Sequence, residues 1–163
     1  MLQLGESVMA LGAVSLMSLA ALHLNDLRLD NGIRMMESEF RTTALSLAHS
    51  YIEEAQRLRF DEDVPASGPV GPLPAGFTAP LALGPDIGEV FPLFDDVDDF
   101  HGLTEDIVTP RAGYRVRCAV SYGDSSLLAP FSPGRTLLKW LSVEITSAFY
   151  QDTLRVQYLY GFR

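Results

Sequence analysis

The chain has 163 residues, 47% of them hydrophobic, which suits one modest core plus one additional element and not two full domains. A formal net charge of -9, from 12 Lys+Arg against 21 Asp+Glu, argues against a surface that neutralises phosphates, so no nucleic acid is expected among its partners. The one cysteine, Cys118, cannot close a disulfide within the chain, and packing must hold the fold.

No residue from Ser7 to Asn25 is charged. A helix over this 19-residue run spans roughly 28 Å, about the hydrocarbon thickness of a bilayer. A cleavable secretory signal needs a basic start and a shorter apolar core, whereas the first basic residue here is Arg28. A membrane anchor and a fully buried core helix remain as readings, and hydropathy favours the anchor. Gly12, Ala13, Ser15, Ser18, Ala20 and Ala21 suit close contact between helices.

After Asn25 the pattern becomes a stripe of Leu29, Ile33, Met36, Phe40, Ala44, Leu47, Tyr51, Ala55 and Leu58, with a mean step of about 3.6 residues. That is the period of a straight helix lying on a core. No proline precedes Pro65, so one helix is expected to about residue 60, with Gly12 and Gly32 as soft points. Residues 1–25 form its apolar half and 26–60 its amphipathic half, the latter opening a globular head over 26–163.

Residues 61–113 are crowded with Pro and Gly and read as a long irregular connection. Between Asp61 and Asp106 stand eleven acidic residues and no Lys or Arg. Such a loop should seek cations or a basic surface, for which Arg115, Arg117 and Arg155 are candidates. Within it FDDVDDFHG places Asp95, Asp96, Asp98 and Asp99 at a density that could hold Ca²⁺, although not at EF-hand spacing. A solvated or inter-subunit acidic loop is the favoured reading, and no cofactor is expected.

Over 114–163 the period becomes two. Tyr114, Val116, Cys118, Val120 and Tyr122 alternate with more polar residues, as do Leu141, Val143 and Ile145, and then Leu154, Val156, Tyr158, Tyr160 and Phe162. SAFYQD between the last two runs reads as a hairpin connection. The fold class is therefore α+β: a long helix packed on a small antiparallel sheet of about three or four strands. Its predicted core comprises Ile33, Met36, Phe40, Leu47, Tyr51 and Leu58 on the helix, with Val116, Cys118, Val120, Val143, Ile145, Val156 and Tyr158 on the strands.

This layout, together with Glu6 standing just before the apolar run in MLQLGESVMALG, resembles the type IV pilin and pseudopilin family. The resemblance implies a structural subunit of a pilus-like filament, a homo-oligomer assembled through its N-terminal helices. It implies that Glu6 pairs with the N-terminal amine of a neighbouring subunit, Met1 in this numbering. Val8, Leu11, Val14, Leu16, Leu19 and Leu22 would then bundle in the filament core. The subunit would sit in the inner membrane before assembly and at the cell surface or in an extracellular filament after it. A pseudopilin or minor pilin of a secretion or pilus machine, and a single-pass anchored binding protein, are the alternatives. His23, His49 and His101 share no ligand spacing, and the sequence holds no nucleotide-binding Gly-rich loop or nucleophile elbow, so neither a metal site nor enzymatic activity is expected.

Overall fold

A computed structural model describes residues 2–62, 76–124 and 129–162; Met1 and residues 63–75 of the acidic connection lie outside the described residues. Helix α1 runs Leu2–Ala55 and is followed by a 3-10 turn at Asp98–Phe100. The strands are β1 (Thr104–Val108), β2 (Gly113–Asp124), β3 (Ala129–Pro130), β4 (Leu138–Ser147) and β5 (Tyr150–Gly161). The expected α+β architecture is present: an open antiparallel sheet in the order β1-β2-β4-β5, with the two-residue β3 pairing at the end of β2. By its contacts the chain divides into two units, Met1–Glu39 and Phe40–Arg163.

The first unit is helical throughout its described residues, Gly12 and Gly32 included. Two serines inside the uncharged run are satisfied locally. Ser15 Oγ donates to the Leu11 carbonyl at 2.8 Å and Ser18 Oγ to the Val14 carbonyl at 2.9 Å. These i−4 bonds remove two hydroxyls from the polar groups that an apolar surrounding would otherwise have to satisfy. Ile33 and Met36 belong to this unit and are 65% and 62% exposed, which corrects their placement in the core. A stripe of period 3.6 fixes which face of a helix is apolar, but not which residues of that face are buried.

In the second unit the helix residues Ala44, Ala48, Tyr51, Ile52 and Ala55 pack on Tyr114, Val116, Cys118 and Val120 of β2 and on Leu141, Val143 and Ile145 of β4. Three of the five helix positions are alanine, and all three are fully buried. Phe40, Leu47, Leu58 and Val156 are partly buried around this core. Three tyrosine hydroxyls tie helix to strands. Tyr51 donates to the Glu105 carboxylate, Tyr114 to the Phe40 carbonyl at 3.4 Å, and Tyr160 to the Ile52 carbonyl at 3.0 Å. Cys118 is a core residue whose thiol burial pushes up to about 12, so it holds its proton. Tyr158 departs from the predicted core. It pairs with the buried Leu141 across the ladder, yet it is 39% exposed on the edge strand, and its ring packs on Tyr160 at 4.7 Å between centroids.

The helix also ends five residues before the expected boundary. Arg57 and Leu58 donate to the Glu54 and Ala55 carbonyls at 3.0 and 3.2 Å, a tightened last turn. Arg59 then leaves to bridge the acidic loop: its N–H donates to the Asp95 carbonyl at 3.2 Å, and Val97 N–H donates to the Arg59 carbonyl at 3.0 Å. A loop residue far away in sequence claims the backbone that would have continued the helix.

The complete burial of Ala48 makes a size test possible. Ala48→Leu should overpack the helix–sheet contact by about 1–3 kcal/mol and lower the melting temperature by several degrees. Ile33→Ser should leave it unchanged. Thermal melts of the full chain in detergent, followed by the near-ultraviolet signal of Trp140, separate these outcomes, and equal melting of both variants and the parent would contradict the division of the helix described here.

Candidate functional site

The uncharged run is the first candidate. Val8, Leu11, Val14, Leu16, Leu19 and Leu22 are all between 62% and 70% exposed. At 3.6 residues per turn they cover about 200° of the helix circumference. The exposed Met9, Met17 and Leu24 fill most of the remainder, so the helix is apolar nearly all round and not along one seam. That pattern belongs to a helix surrounded by apolar matter on every side, either lipid or several other helices. Among the described residues this is the one helix long and apolar enough to cross a membrane. Glu6 is helical, but its side chain, like all of Met1, lies outside the described residues.

The second candidate is the aspartate run, which the structure does not gather as one four-carboxylate ligand set. Asp96 Oδ1 accepts the N–H groups of Asp98 at 2.8 Å and Asp99 at 3.3 Å. Asp99 Oδ2 accepts those of Asp95 at 3.1 Å and Asp96 at 3.3 Å. The two side chains thus fold the segment around itself, a local use of Asp that competes with regular structure. Asp95 pairs with Arg59, and Asp98 with Lys139. Among the described residues, the carboxylates able to share a cation are two trios, Glu62–Asp95–Asp96 and Glu89–Asp95–Asp99, whose oxygens lie within 4.8 Å of one another. Both bring in a glutamate outside the predicted quartet and leave Asp98 out. Each supplies three carboxylates toward the roughly six to eight oxygens calcium takes. The expected basic surface is used in part: Arg115 holds Asp106 in a two-pronged pair at 2.7 and 2.8 Å, which keeps the Asp106 carboxyl below its ordinary pKa, whereas Arg155 pairs with Glu144 at 2.5 Å.

Sequence reasoning missed the third feature. Lys139 is the only lysine in the chain and is fully buried. Its three ammonium protons have three acceptors: the Phe60 carbonyl at 2.6 Å, Asp61 Oδ2 at 2.8 Å and Asp98 Oδ1 at 2.5 Å. The Phe60 and Tyr122 rings lie 4.7 and 5.5 Å from Nζ. Asp61, also fully buried, further accepts the Thr78 N–H at 3.1 Å on both oxygens and the Thr78 hydroxyl at 3.3 Å, and its Oδ2 lies 3.1 Å from the Tyr122 hydroxyl. Burial, then the Asp61 charge, pushes the Tyr122 phenol up, so it remains a donor. A signal for Lys139 was present: it lies in phase with Leu141, Val143 and Ile145, the inward face of β4. Asp61 had no such marker, since it follows the helix where periodicity stops.

Comparison with protein-family models, with curated proteins and with solved structures finds no match to this chain. The chemistry of these sites therefore rests on their own geometry.

Near the ion cluster the pH response follows from Asp96 and Asp99. Burial first, then the hydrogen bond and charge of Asp98, pushes the Asp96 carboxyl up to about 8; burial pushes Asp99 up to about 6. An acid that holds its proton more tightly when folded favours the folded state at low pH. For Asp96 that contribution is full below about pH 4 and lost as pH rises through about 8. Asp96→Asn keeps the Oδ1 acceptor and has no proton to lose. Urea midpoints should fall from about pH 5 to pH 8 in the parent and fall less in Asp96→Asn; parallel curves would remove this account.

Proposed function

We propose that this protein is a structural subunit of a type IV pilus-like filament that polymerises as a homo-oligomer through its N-terminal apolar helix. The observation that carries the reading is the helix surface from Val8 to Leu24, apolar nearly all round, exposed, and free of charge. Covering one such Leu or Val side chain is worth about 1.5–3 kcal/mol, and this surface presents many of them. Lipid covers it before assembly, and the helices of other copies cover it afterwards. The succession of a long N-terminal helix, an irregular connection and an antiparallel sheet supports the same reading. So does the absence from the sequence of nucleotide-binding and nucleophile motifs, since a subunit that works by polymerising requires no catalytic group.

Glu6 separates polymerisation from simple anchoring. A carboxylate entering a bilayer costs up to a few kcal/mol, and a solitary anchor gains nothing in return. In a filament the charge pairs with the terminal amine of the next copy and sets the axial register. Glu6→Ala should leave the subunit in the membrane fraction and greatly reduce the filaments recovered by shearing, as counted by electron microscopy. Undiminished filament numbers would remove the pairing. Membrane-inserted parent protein that never leaves the bilayer would favour the single-pass binding protein, and short assemblies confined to the envelope would favour the pseudopilin.

A further inference from the structure

The buried Lys139 cluster has the composition of a condensation site as well as of an ion pair. An amine and a carboxylate do not form an amide in water, because both are ionised and hydrated and water competes for the carbonyl. Here Lys139 and Asp61 are both fully buried, and Nζ lies 2.8 Å from Asp61 Oδ2. The rings of Phe60 and Tyr122 flank the ammonium. Phe77 and Phe162 stack around Phe60 at 5.2 and 5.5 Å between centroids, walling off one side. We propose that Lys139 and Asp61 are joined by an amide bond that the folded chain forms on itself, linking the segment that leaves the helix to strand β4.

The ammonium passes one proton to Asp61 Oδ2 across their 2.8 Å contact, leaving a neutral carboxyl group and a free lone pair on Nζ, and Asp98 Oδ1, 2.5 Å from Nζ, takes the second proton as the nitrogen adds. Nζ adds to the Asp61 carboxyl carbon. The charge that develops on Oδ1 is met by the Thr78 hydroxyl at 3.3 Å and by the Thr78 N–H, which lies 3.1 Å from both carboxylate oxygens. Oδ2 faces the Tyr122 hydroxyl at 3.1 Å and is the oxygen that leaves. It departs with the proton relayed by Asp98 and a second from Nζ, as one water. The ammonium gives up two of its three protons, the carboxylate one oxygen, and the opposite charges cancel; no oxidant, reductant or activating group is consumed. Holding the two groups in contact also gives the condensation a high effective concentration, which a flexible chain in water lacks. The proposal does not depend on the filament reading, because every residue it uses lies in the unit Phe40–Arg163.

The test is the intact mass of the full chain, purified in detergent and then denatured. The parent should be lighter than its sequence by one water. Trypsin should release residues 60–111 covalently attached to 136–155, with cleavage after Lys139 blocked, and fragment ions should place the bond on Asp61 and not on Asp98. Lys139→Arg, which keeps the cation but offers no condensing amine, should return to its full sequence mass. Asp98→Asn should form the bond more slowly and give a mixture of the two masses. Because the decisive measurement is on the parent chain, a variant that fails to fold leaves the test intact. A parent at full sequence mass would overturn the proposal and leave an ionic cluster only. A water lost without the linked peptide, or a link at Asp98, would overturn the assignment to Asp61, and unchanged kinetics in Asp98→Asn would overturn the relay.

Discussion

An ammonium ion taken out of water as a chain folds must have each of its protons accepted, and in the folding of this protein that demand sets the position of three segments at once. Lys139 stands on the inward face of β4, and its acceptors come from the end of the helix at Phe60 and Asp61 and from the 3-10 turn at Asp98. Tyr122 of β2 and Thr78 of the irregular connection then complete the coordination of Asp61. Opposite charges buried together often contribute little net stability relative to an apolar core, but removing one partner is costly. What such a cluster supplies is position: the loop cannot slide along the sheet without leaving a charge buried alone.

The apolar contacts would not impose the same order. Ala44, Ala48 and Ala55 offer a smooth helix face to a sheet of valine, leucine and isoleucine, and such surfaces tolerate sliding better than hydrogen-bonded ones do. The hydroxyls of Tyr51, Tyr114 and Tyr160 fix the helix on that surface at three points. Each of these buried hydroxyls would lose its acceptor if the register changed. The first unit has a different task. Its apolar side chains are exposed, and Ser15 and Ser18 turn their hydroxyls back on their own helix.

Much of this was legible in the sequence because it depends on period. The helical stripe, the alternation of β2, β4 and β5 and the uncharged run all follow from spacing, and the helix and sheet stand where those spacings put them. The extent of contact was not legible: Leu29, Ile33 and Met36 continue the same stripe as Ala44 and Tyr51, and only burial tells them apart. Nor was the role of the aspartates. Asp95, Asp96, Asp98 and Asp99 look alike as a cluster, yet one pairs with an arginine, two fold their own backbone and one faces a buried lysine. Composition records how many charges a loop carries, whereas their separate uses depend on partners about 40 residues away, at Arg59 and Lys139.

The ion cluster joins parts of the chain that are distant in sequence, and distance has a kinetic meaning. Lys139 is separated from Asp98 by 41 residues and from Asp61 by 78. The entropy lost on closing a loop grows with the logarithm of its length, so the longer closure is disfavoured by about 0.6 kcal/mol relative to the shorter. On that ground Asp98 is the first carboxylate to reach the ammonium and Asp61 the second. By the same measure the 36-residue closure that brings Arg59 to Asp95 costs less still, so the end of the helix and the acidic turn are favoured to meet before the lysine reaches either carboxylate.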